Sequence, residues 1–183
     1  HSFPTRRSSD LTRAEFAYLG VRLYETLTGT LAETGSDRFI DTKDEWVLKA
    51  KHHGIVNGYS DGSFKPDQAI RRDELAALFV NTLRASKVDF AEYVGEKFAD
   101  DDRIAGWAKD AVYIAKANGI ISGIGDNLFG GASPATILQS LLMFNNVMSN
   151  DQISGNVDVK VEVTESKPAA AENDKYTHAI ELS

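Results

Sequence analysis

The chain of 183 residues contains no cysteine, which excludes disulfides, thiolate metal sites and a cysteine nucleophile. It has four histidines, and none of them shows the His-x-x-x-His or His-Glu-x-x-His spacing of zinc enzymes. No apolar run reaches the roughly 18 residues that a membrane-spanning helix needs, and the N-terminal end shows no charged-then-apolar signal segment. We therefore expect no metal, no cofactor and no membrane span.

Positive charge is also scarce. Lys and Arg together number 20 against 27 Asp and Glu, so the formal net charge is −7. Non-specific nucleic-acid binding requires a basic surface, so we expect no nucleic-acid partner. An anionic ligand would have to be held by local Arg or Lys side chains against the mean field of the protein. The hydrophobic content of 42% is typical of a globular domain.

The two ends of the chain differ in character from its middle. Residues 1–11, HSFPTRRSSDL, are polar and match nothing downstream, so we interpret them as a non-native, poorly packed stretch. In residues 157–163 valine alternates with charged residues, which predicts a short strand. A linker-like run, Lys-Pro-Ala-Ala-Ala-Glu at 167–172, follows. We interpret residues 151–183 as a linker or as the start of a truncated following domain.

The middle of the chain is an internal repeat. The triplet at 39–41, Phe-Ile-Asp, recurs as Phe-Ala-Asp at 98–100, and the Gly-Ile pair at 54–55 recurs at 119–120. The offset grows from 59 to 65 residues between these landmarks, so the later copy is six residues longer there. Stepping back by 59 residues places Thr-Arg-Ala-Glu at 12–15 over Arg-Arg-Asp-Glu at 71–74. The sequence thus predicts half a repeat at 12–38, a full repeat at 39–97 and a degenerate one at 98–150.

Each repeat has the pattern of helix, loop and helix. Residues 107–118 predict an amphipathic helix, which Gly119 ends in the left-handed conformation. Asp61 and Gly62 form the tip of a turn, and the spacing of Thr12 and Glu15 is that of a capping box. Because leucines recur at helical spacing in each second helix, we expect these helices to pack on one another in a small bundle. The predicted fold class is mainly α.

One set of repeated residues resembles the S-layer homology repeat of bacterial surface proteins. The residues that carry the resemblance are Phe39, Asp41, Trp46, Gly54, Ile55, Gly58, Asp61, Gly62, Phe64, Pro66, Ile70, Arg72 and Glu74. The resemblance implies tandem repeats in a pseudo-threefold arrangement around a central helical bundle. It also implies noncovalent anchoring of an exported protein to secondary cell-wall polysaccharide, which often carries pyruvylated N-acetylmannosamine. The location implied is extracellular, at the bacterial cell wall or S-layer.

The resemblance places the polysaccharide sites in grooves between repeats, with Arg13 and Arg72 as contacts to the acidic sugar substituent. A guanidinium can meet a carboxylate with two parallel hydrogen bonds, and the first turn of a helix favours anions. We expect Arg72 to dominate, because its repeat has both halves. Thr12 and Glu15 are interpreted as caps. The other candidate ligand contacts are Asp41, Asp100, Trp46, Trp107, Gly58, Gly123 and Tyr59. As structural alternatives, both tryptophans are core residues, and Asp100 caps the helix that follows it.

Departures from the pattern leave a second hypothesis open. Ile137 and Leu138 replace the Arg and its neighbour in the last motif, so we expect at most two grooves to bind. The alternative function is a structural spacer or S-layer assembly module without polysaccharide binding. The absent half-repeat predicts an uncovered apolar face that drives self-association. We expect no enzyme, because Glu15 and Glu74 occupy cap positions without a nucleophile or metal set.

Overall fold

The segments at 39–97 and 98–150 each contain a short first helix, a loop and a longer second helix, and the segment at 12–38 contains one long helix. In this computed structural model the structure describes residues 9–154. The helices are α1 (Arg13–Thr28), α2 (Glu45–His52), α3 (Arg72–Ala85), α4 (Lys109–Ala117), α5 (Ile137–Met148) and the short α6 (Asp151–Ser154). Two 3₁₀ turns, Asp101–Arg103 and Gly106–Ala108, precede α4. The mainly α fold class is confirmed, whereas the strand predicted at 157–163 lies outside the described residues.

The predicted capping box and the two glycine helix ends are confirmed, whereas the helix predicted from residue 107 begins at Lys109. The Thr12 hydroxyl accepts from the Glu15 amide at 3.2 Å, and the Glu15 carboxylate accepts from the Thr12 amide at 2.7 Å. Gly54 and Gly119 follow the first helices with φ of +71° and +65°, a conformation that disfavours residues with a Cβ atom. These features were predictable because the residues involved are neighbours in the sequence.

A ring of backbone hydrogen bonds joins the three repeats at the starts of α1, α3 and α5. The Leu11 amide donates to Ala135 at 2.9 Å, the Ala135 amide to Ile70 at 2.8 Å, and the Ile70 amide to Leu11 at 2.9 Å. A second set of bonds, each from the first residue of a long helix, runs from Arg13 to Gln68, from Arg72 to Ser133 and from Ile137 to Ser9. The three starting segments therefore form a pseudo-threefold hub.

This hub corrects the interpretation of residues 1–11 as poorly packed. Leu11 is only 1% exposed, and Asp10 is buried as well. Leu11 directly precedes the pair at 12–13, as Ile70 directly precedes the equivalent pair at 71–72, so Leu11 belongs to the repeat. Residues 1–8 lie outside the described residues, and the non-native origin of the stretch stays a prediction.

The long helices share one hydrophobic core. Phe16 of α1 and Phe79 of α3 meet edge to face, with ring centroids 5.6 Å apart. α2 packs on α1 and α4 packs on α3, whereas α5 contacts mainly the short α6. As a result Leu138 and Leu142 of α5 are 66% and 53% exposed, which gives an apolar face on the last repeat.

Candidate functional site

Arg13 links the first repeat to the loop of the second. Its Nε donates to the Phe64 carbonyl and its Nη2 to the Asn57 carbonyl, both at 2.7 Å. The guanidinium carbon lies 4.6 Å from the Phe64 ring centroid and 5.0 Å from that of Tyr59. Arg13 is only 8% exposed, so it is not the solvated first-turn residue that its sequence position indicates. Among the described residues, no carboxylate lies within ion-pair distance of it.

Asp41 holds the loop that Arg13 contacts. Its two carboxylate oxygens accept from the Phe64 amide at 2.8 Å and the Lys65 amide at 2.7 Å. Desolvation favours the neutral acid, but these amides outweigh it and hold the pKa of Asp41 below its ordinary value. Asp41 therefore fixes the backbone whose carbonyl receives Arg13. Both of its oxygens have protein partners in this arrangement.

The same arrangement recurs in the next repeat. Asp100 accepts from the Phe129 and Gly130 amides, each at 2.8 Å, and Arg72 donates to the carbonyls of Phe129 at 3.1 Å and Ser122 at 3.3 Å. The amide bonds outweigh desolvation and lower the pKa of Asp100. Burial lowers the pKa of Arg72, and Asp100 partly offsets that effect. The interpretation of Asp100 as the cap of the following helix is wrong, since its carboxylate reaches across the repeat instead.

Gly58 and Gly123 lie where two segments of loop backbone approach each other closely. A Cβ atom on Gly58 would lie 2.8 Å from the Ser63 carbonyl oxygen, and one on Gly123 would lie 2.5 Å from that of Leu128. Tyr59, directly after Gly58, lies beside Arg13 and under the Lys65 ammonium, which is 4.1 Å from its ring centroid. Tyr59 thus lies with Arg13, while the glycines shape the loops.

The tryptophans lie in different surroundings, and the core interpretation is wrong for Trp107. Trp107 sits on the second 3₁₀ turn, before α4, and is 64% exposed. Trp46 is half-buried and packs edge to face on Tyr18 of α1, with centroids 4.8 Å apart. The six-residue insertion explains the difference, because it adds the turns that carry Trp107 away from the helix face occupied by Trp46.

A groove of about 310 Å³ combines parts of three repeats, and we call it the Arg13 groove. Arg13 lies at one side, with Asn57 from the loop of the next repeat. Glu74 and other residues of α3 line another side, and Trp107 comes from the repeat after that. The groove therefore presents two arginines, two carboxylates and an exposed indole, and because Arg84 is paired with Asp110, Arg13 is the cation left for an acidic sugar.

A second groove, the Arg72 groove, has a volume of about 410 Å³ and uses the equivalent positions. Ser122 replaces Asn57, and Gln139 of α5 replaces Glu74. The remaining lining is mainly aliphatic and includes Ile124 at the position of Tyr59. No first helix lines this groove in the described part of the chain, so it has no counterpart of Trp107.

The third inter-repeat position lacks the charge altogether. Ile137 begins α5 where Arg13 and Arg72 begin their helices. Trp46 aligns in the repeat with Ala111 of the Arg13 groove, so the pseudo-threefold arrangement assigns it to this third position. The structure thus brings together Arg13, Tyr59 and Trp107, while it separates Trp46 from both arginines.

Residues 9–154 were compared with the requirements of a metal site and of a membrane-spanning helix. Within that range no three histidines or carboxylates are placed to hold a metal ion. Asp101, from the acidic run at 100–102, instead binds Lys109 at 2.8 Å and accepts from the Tyr113 hydroxyl at 2.8 Å. No helix there is long and apolar enough to cross a bilayer.

Comparison with known proteins agrees with the repeat pattern. The family model for the S-layer homology domain matches residues 41–76 and 97–136. Cell surface glycoprotein 1 of Acetivibrio thermocellus is 28% identical over 88% of this chain and 7% of its own length. The Cellulosome-anchoring protein of the same organism is 26% identical over 81% of the chain and 34% of its length. The Surface-layer 125 kDa protein of Lysinibacillus sphaericus is 30% identical over 86% of the chain and 13% of its length. The chain therefore spans a minor part of these relatives.

Sequence reasoning missed the groove residues of α3 and α4. On sequence grounds Glu74 is a cap residue of the repeated motif and Asn81, Arg84 and Asp110 have no assigned role, yet all four line the Arg13 groove. The available signal was the helical spacing of Glu74, Asn81 and Arg84 on one face of α3. That face acquires a role only when the neighbouring repeats are placed beside it.

Proposed function

This chain belongs to the S-layer homology family, and we propose that it holds an exported protein on the bacterial cell wall by binding secondary cell-wall polysaccharide. We place the principal contact in the Arg13 groove. A pyruvate ketal or another acidic substituent on the sugar would meet Arg13, and a sugar ring would pack on Trp107. Arg72 becomes a weaker second contact.

The observation that carries this proposal is the state of the Arg13 guanidinium. A guanidinium has five N–H donors, and the structure uses the Nε donor and one donor of Nη2. Both partners are neutral carbonyls, so the positive charge is fixed in place without being neutralised by an ion pair. A carboxylate that reaches the remaining donors gains charge-assisted hydrogen bonds in a partly desolvated groove.

The preference for Arg13 over Arg72 rests on the walls of the two grooves. The Arg13 groove is lined by an exposed tryptophan, which can lie against a sugar ring, and Tyr59 lies beside its arginine. The Arg72 groove offers Ile124 and Leu142 instead, and these side chains cannot accept or donate hydrogen bonds to sugar hydroxyls. We therefore expect Arg13 to contribute more to affinity than Arg72.

The test is co-sedimentation of the purified protein with Acetivibrio thermocellus sacculi, with and without prior extraction of their polysaccharide. Wild type should sediment only with unextracted walls. Arg13→Ala should lower affinity about ten-fold to a few hundred-fold, the equivalent of one or two hydrogen bonds to a charged group. Arg13→Lys should recover only part of it, because Lys keeps the charge without the planar fork.

Two further variants separate binding from folding. Trp107→Ala removes an exposed side chain, so it should weaken binding while leaving the melting temperature unchanged. Arg22→Ala removes an exposed arginine of α1 paired with Glu25 and should leave sedimentation unchanged. If wild type stays in the supernatant with unextracted walls, the spacer function, favoured by the loss of Arg at Ile137, replaces the anchor.

A further inference from the structure

A second cavity lies next to the Arg13 groove, separated from it by the ion pair of Arg84 and Asp110. It has a volume of about 670 Å³ and lies between the end of α3, the connecting loop at 86–97 and α4. We call it the loop cavity. Arg84 of α3 and Asp110 of α4 line both this cavity and the Arg13 groove, and their side chains meet at 2.8 Å. The two concavities are therefore neighbours that share a single polar ridge.

The loop that closes the cavity is fixed to α4 by specific contacts. The Asn118 side chain accepts from the Ala91 amide and donates to the Ala91 carbonyl, both at 2.9 Å. Tyr93 stacks on Tyr113 with ring centroids 5.2 Å apart. Two polar bonds and an aromatic stack thus hold one wall of the cavity in a defined place.

The six-residue insertion of this repeat serves both concavities. The extra residues lie between Asp100 and Gly119, where the structure has two added 3₁₀ turns. The first turn supplies Asp101 to the loop cavity, and the second supplies Trp107 to the Arg13 groove. The previous repeat, which lacks the insertion, has neither residue at an equivalent place.

Two cations and two carboxylates line the Arg13 groove, and its Arg13 forms no ion pair with a described residue, whereas every cation of the loop cavity is paired. Three cations and three carboxylates line the loop cavity, namely Arg84, Lys97, Lys109, Glu92, Asp101 and Asp110. The cations pair with two of the carboxylates, Arg84 with Asp110 at 2.8 Å and both lysines with Asp101, of which Lys109 lies at 2.8 Å. A balanced set of this kind offers hydrogen bonds to hydroxyl and amide groups without favouring a polyanion.

We propose that the loop cavity binds uncharged sugar units next to the acidic unit held in the Arg13 groove, so that one wall polysaccharide chain crosses the ridge formed by Arg84 and Asp110. This inference rests on the proposed function, and it adds that the protein recognises a stretch of polymer rather than an isolated terminal sugar. The volume is within the range of about 300–1,000 Å³ that is usual for ligand sites.

The experiment compares two probes prepared from Acetivibrio thermocellus walls: the released polysaccharide as long chains, and the short acidic fragments obtained from it by partial hydrolysis. Affinities are measured by calorimetry for wild type, Arg13→Ala, Tyr93→Ala and Lys97→Glu. Lys43→Glu, an exposed lysine of the preceding repeat, provides the charge-matched control. Thermal melts identify any variant that does not fold.

We expect Tyr93→Ala and Lys97→Glu to weaken binding of the long chains about ten-fold, the equivalent of one or two hydrogen bonds, and to leave the short fragments unaffected. Arg13→Ala should weaken both probes. If folded Tyr93→Ala and Lys97→Glu bind the long chains as wild type does, the proposal that the loop cavity binds sugar units is refuted, and the anchor function is unaffected. An equal effect of Lys43→Glu, or an equal loss for both probes, would also refute that proposal. If wild type binds neither probe, the anchor function and this inference fail together.

Discussion

Replacing Asp100 should destabilise the last repeat far more than replacing its neighbour in the same acidic run. The Asp100 carboxylate receives the amides of Phe129 and Gly130, and the Phe129 amide is buried. Asp100→Ala leaves both donors without an acceptor. Asp102 is exposed, so Asp102→Ala is a control with nearly the same composition and charge.

The expected magnitude follows from the number and kind of bonds. A hydrogen bond to a charged group contributes about 1.5–3 kcal/mol, and partial access of water to Gly130 reduces the total, so Asp100→Ala should cost about 2–4 kcal/mol. In a chain of this size that loss lowers the melting temperature by roughly 5–15 °C. Asp100→Asn keeps one acceptor oxygen and should lose about half as much. Asp102→Ala should change the free energy of unfolding by less than about 0.5 kcal/mol.

The pH dependence gives a second, independent measurement on the same variants. The pKa of Asp100 lies below its ordinary value in the folded protein, because the two amides outweigh desolvation. Its contribution to stability is therefore complete above about pH 4 and is lost as the pH falls through the folded-state pKa. Chemical unfolding followed from pH 7 to pH 3 should show a smaller acid-induced loss for Asp100→Asn than for wild type. Equal stability of Asp100→Ala and Asp102→Ala would refute the role assigned to this carboxylate.

Three further outcomes are expected. Gly123→Ala should lower the melting temperature strongly, because its Cβ would lie 2.5 Å from the Leu128 carbonyl oxygen, whereas Gly106→Ala meets no atom within 4 Å and should be neutral in the same melt. Leu142→Lys should abolish concentration-dependent self-association in ultracentrifugation without changing stability, and a wild type that stays monomeric would contradict this. Burial and the neighbouring histidine lower the pKa of His53, so the free energy of unfolding should fall as the pH drops below about 6.5, and less so in His53→Gln.

Features determined by neighbouring residues were predictable from the sequence. The capping box of Thr12 and Glu15 and the left-handed Gly54 and Gly119 depend on residues within one helical turn. The repeat register was also predictable, because its landmarks recur at an offset of 59 residues that becomes 65 after the insertion. Local geometry and internal symmetry were therefore enough to give the order of the long helices, while the family rested on the resemblance of the repeated motif residues.

The roles of Asp100 and Trp107 were not predictable, because both depend on contacts far along the chain. Asp100 stands just before a helical segment, which favours a capping interpretation, yet its partner amide at Phe129 is 29 residues away. Trp107 has the spacing of a core residue if the helix is assumed to begin there. The insertion instead forms a separate 3₁₀ turn, and the indole reaches the surface. Spacing alone cannot reveal such a turn.

The three inter-repeat positions differ in a way that follows from their construction. Each position needs an arginine from one repeat, a loop and long helix from the next, and a first helix from the one after that. Only the Arg13 groove draws all of these parts from residues 9–154, while the Arg72 groove lacks the first helix and the position of Ile137 lacks the charge. In both charged copies an aspartate accepts from a loop amide, and the arginine of the previous repeat donates to a carbonyl of the same loop. The arginine therefore helps to hold the repeats together whether or not a ligand is bound. Ligand affinity then depends on the walls around each arginine, so the retention of a Thr-Arg motif in the sequence does not by itself identify a binding groove.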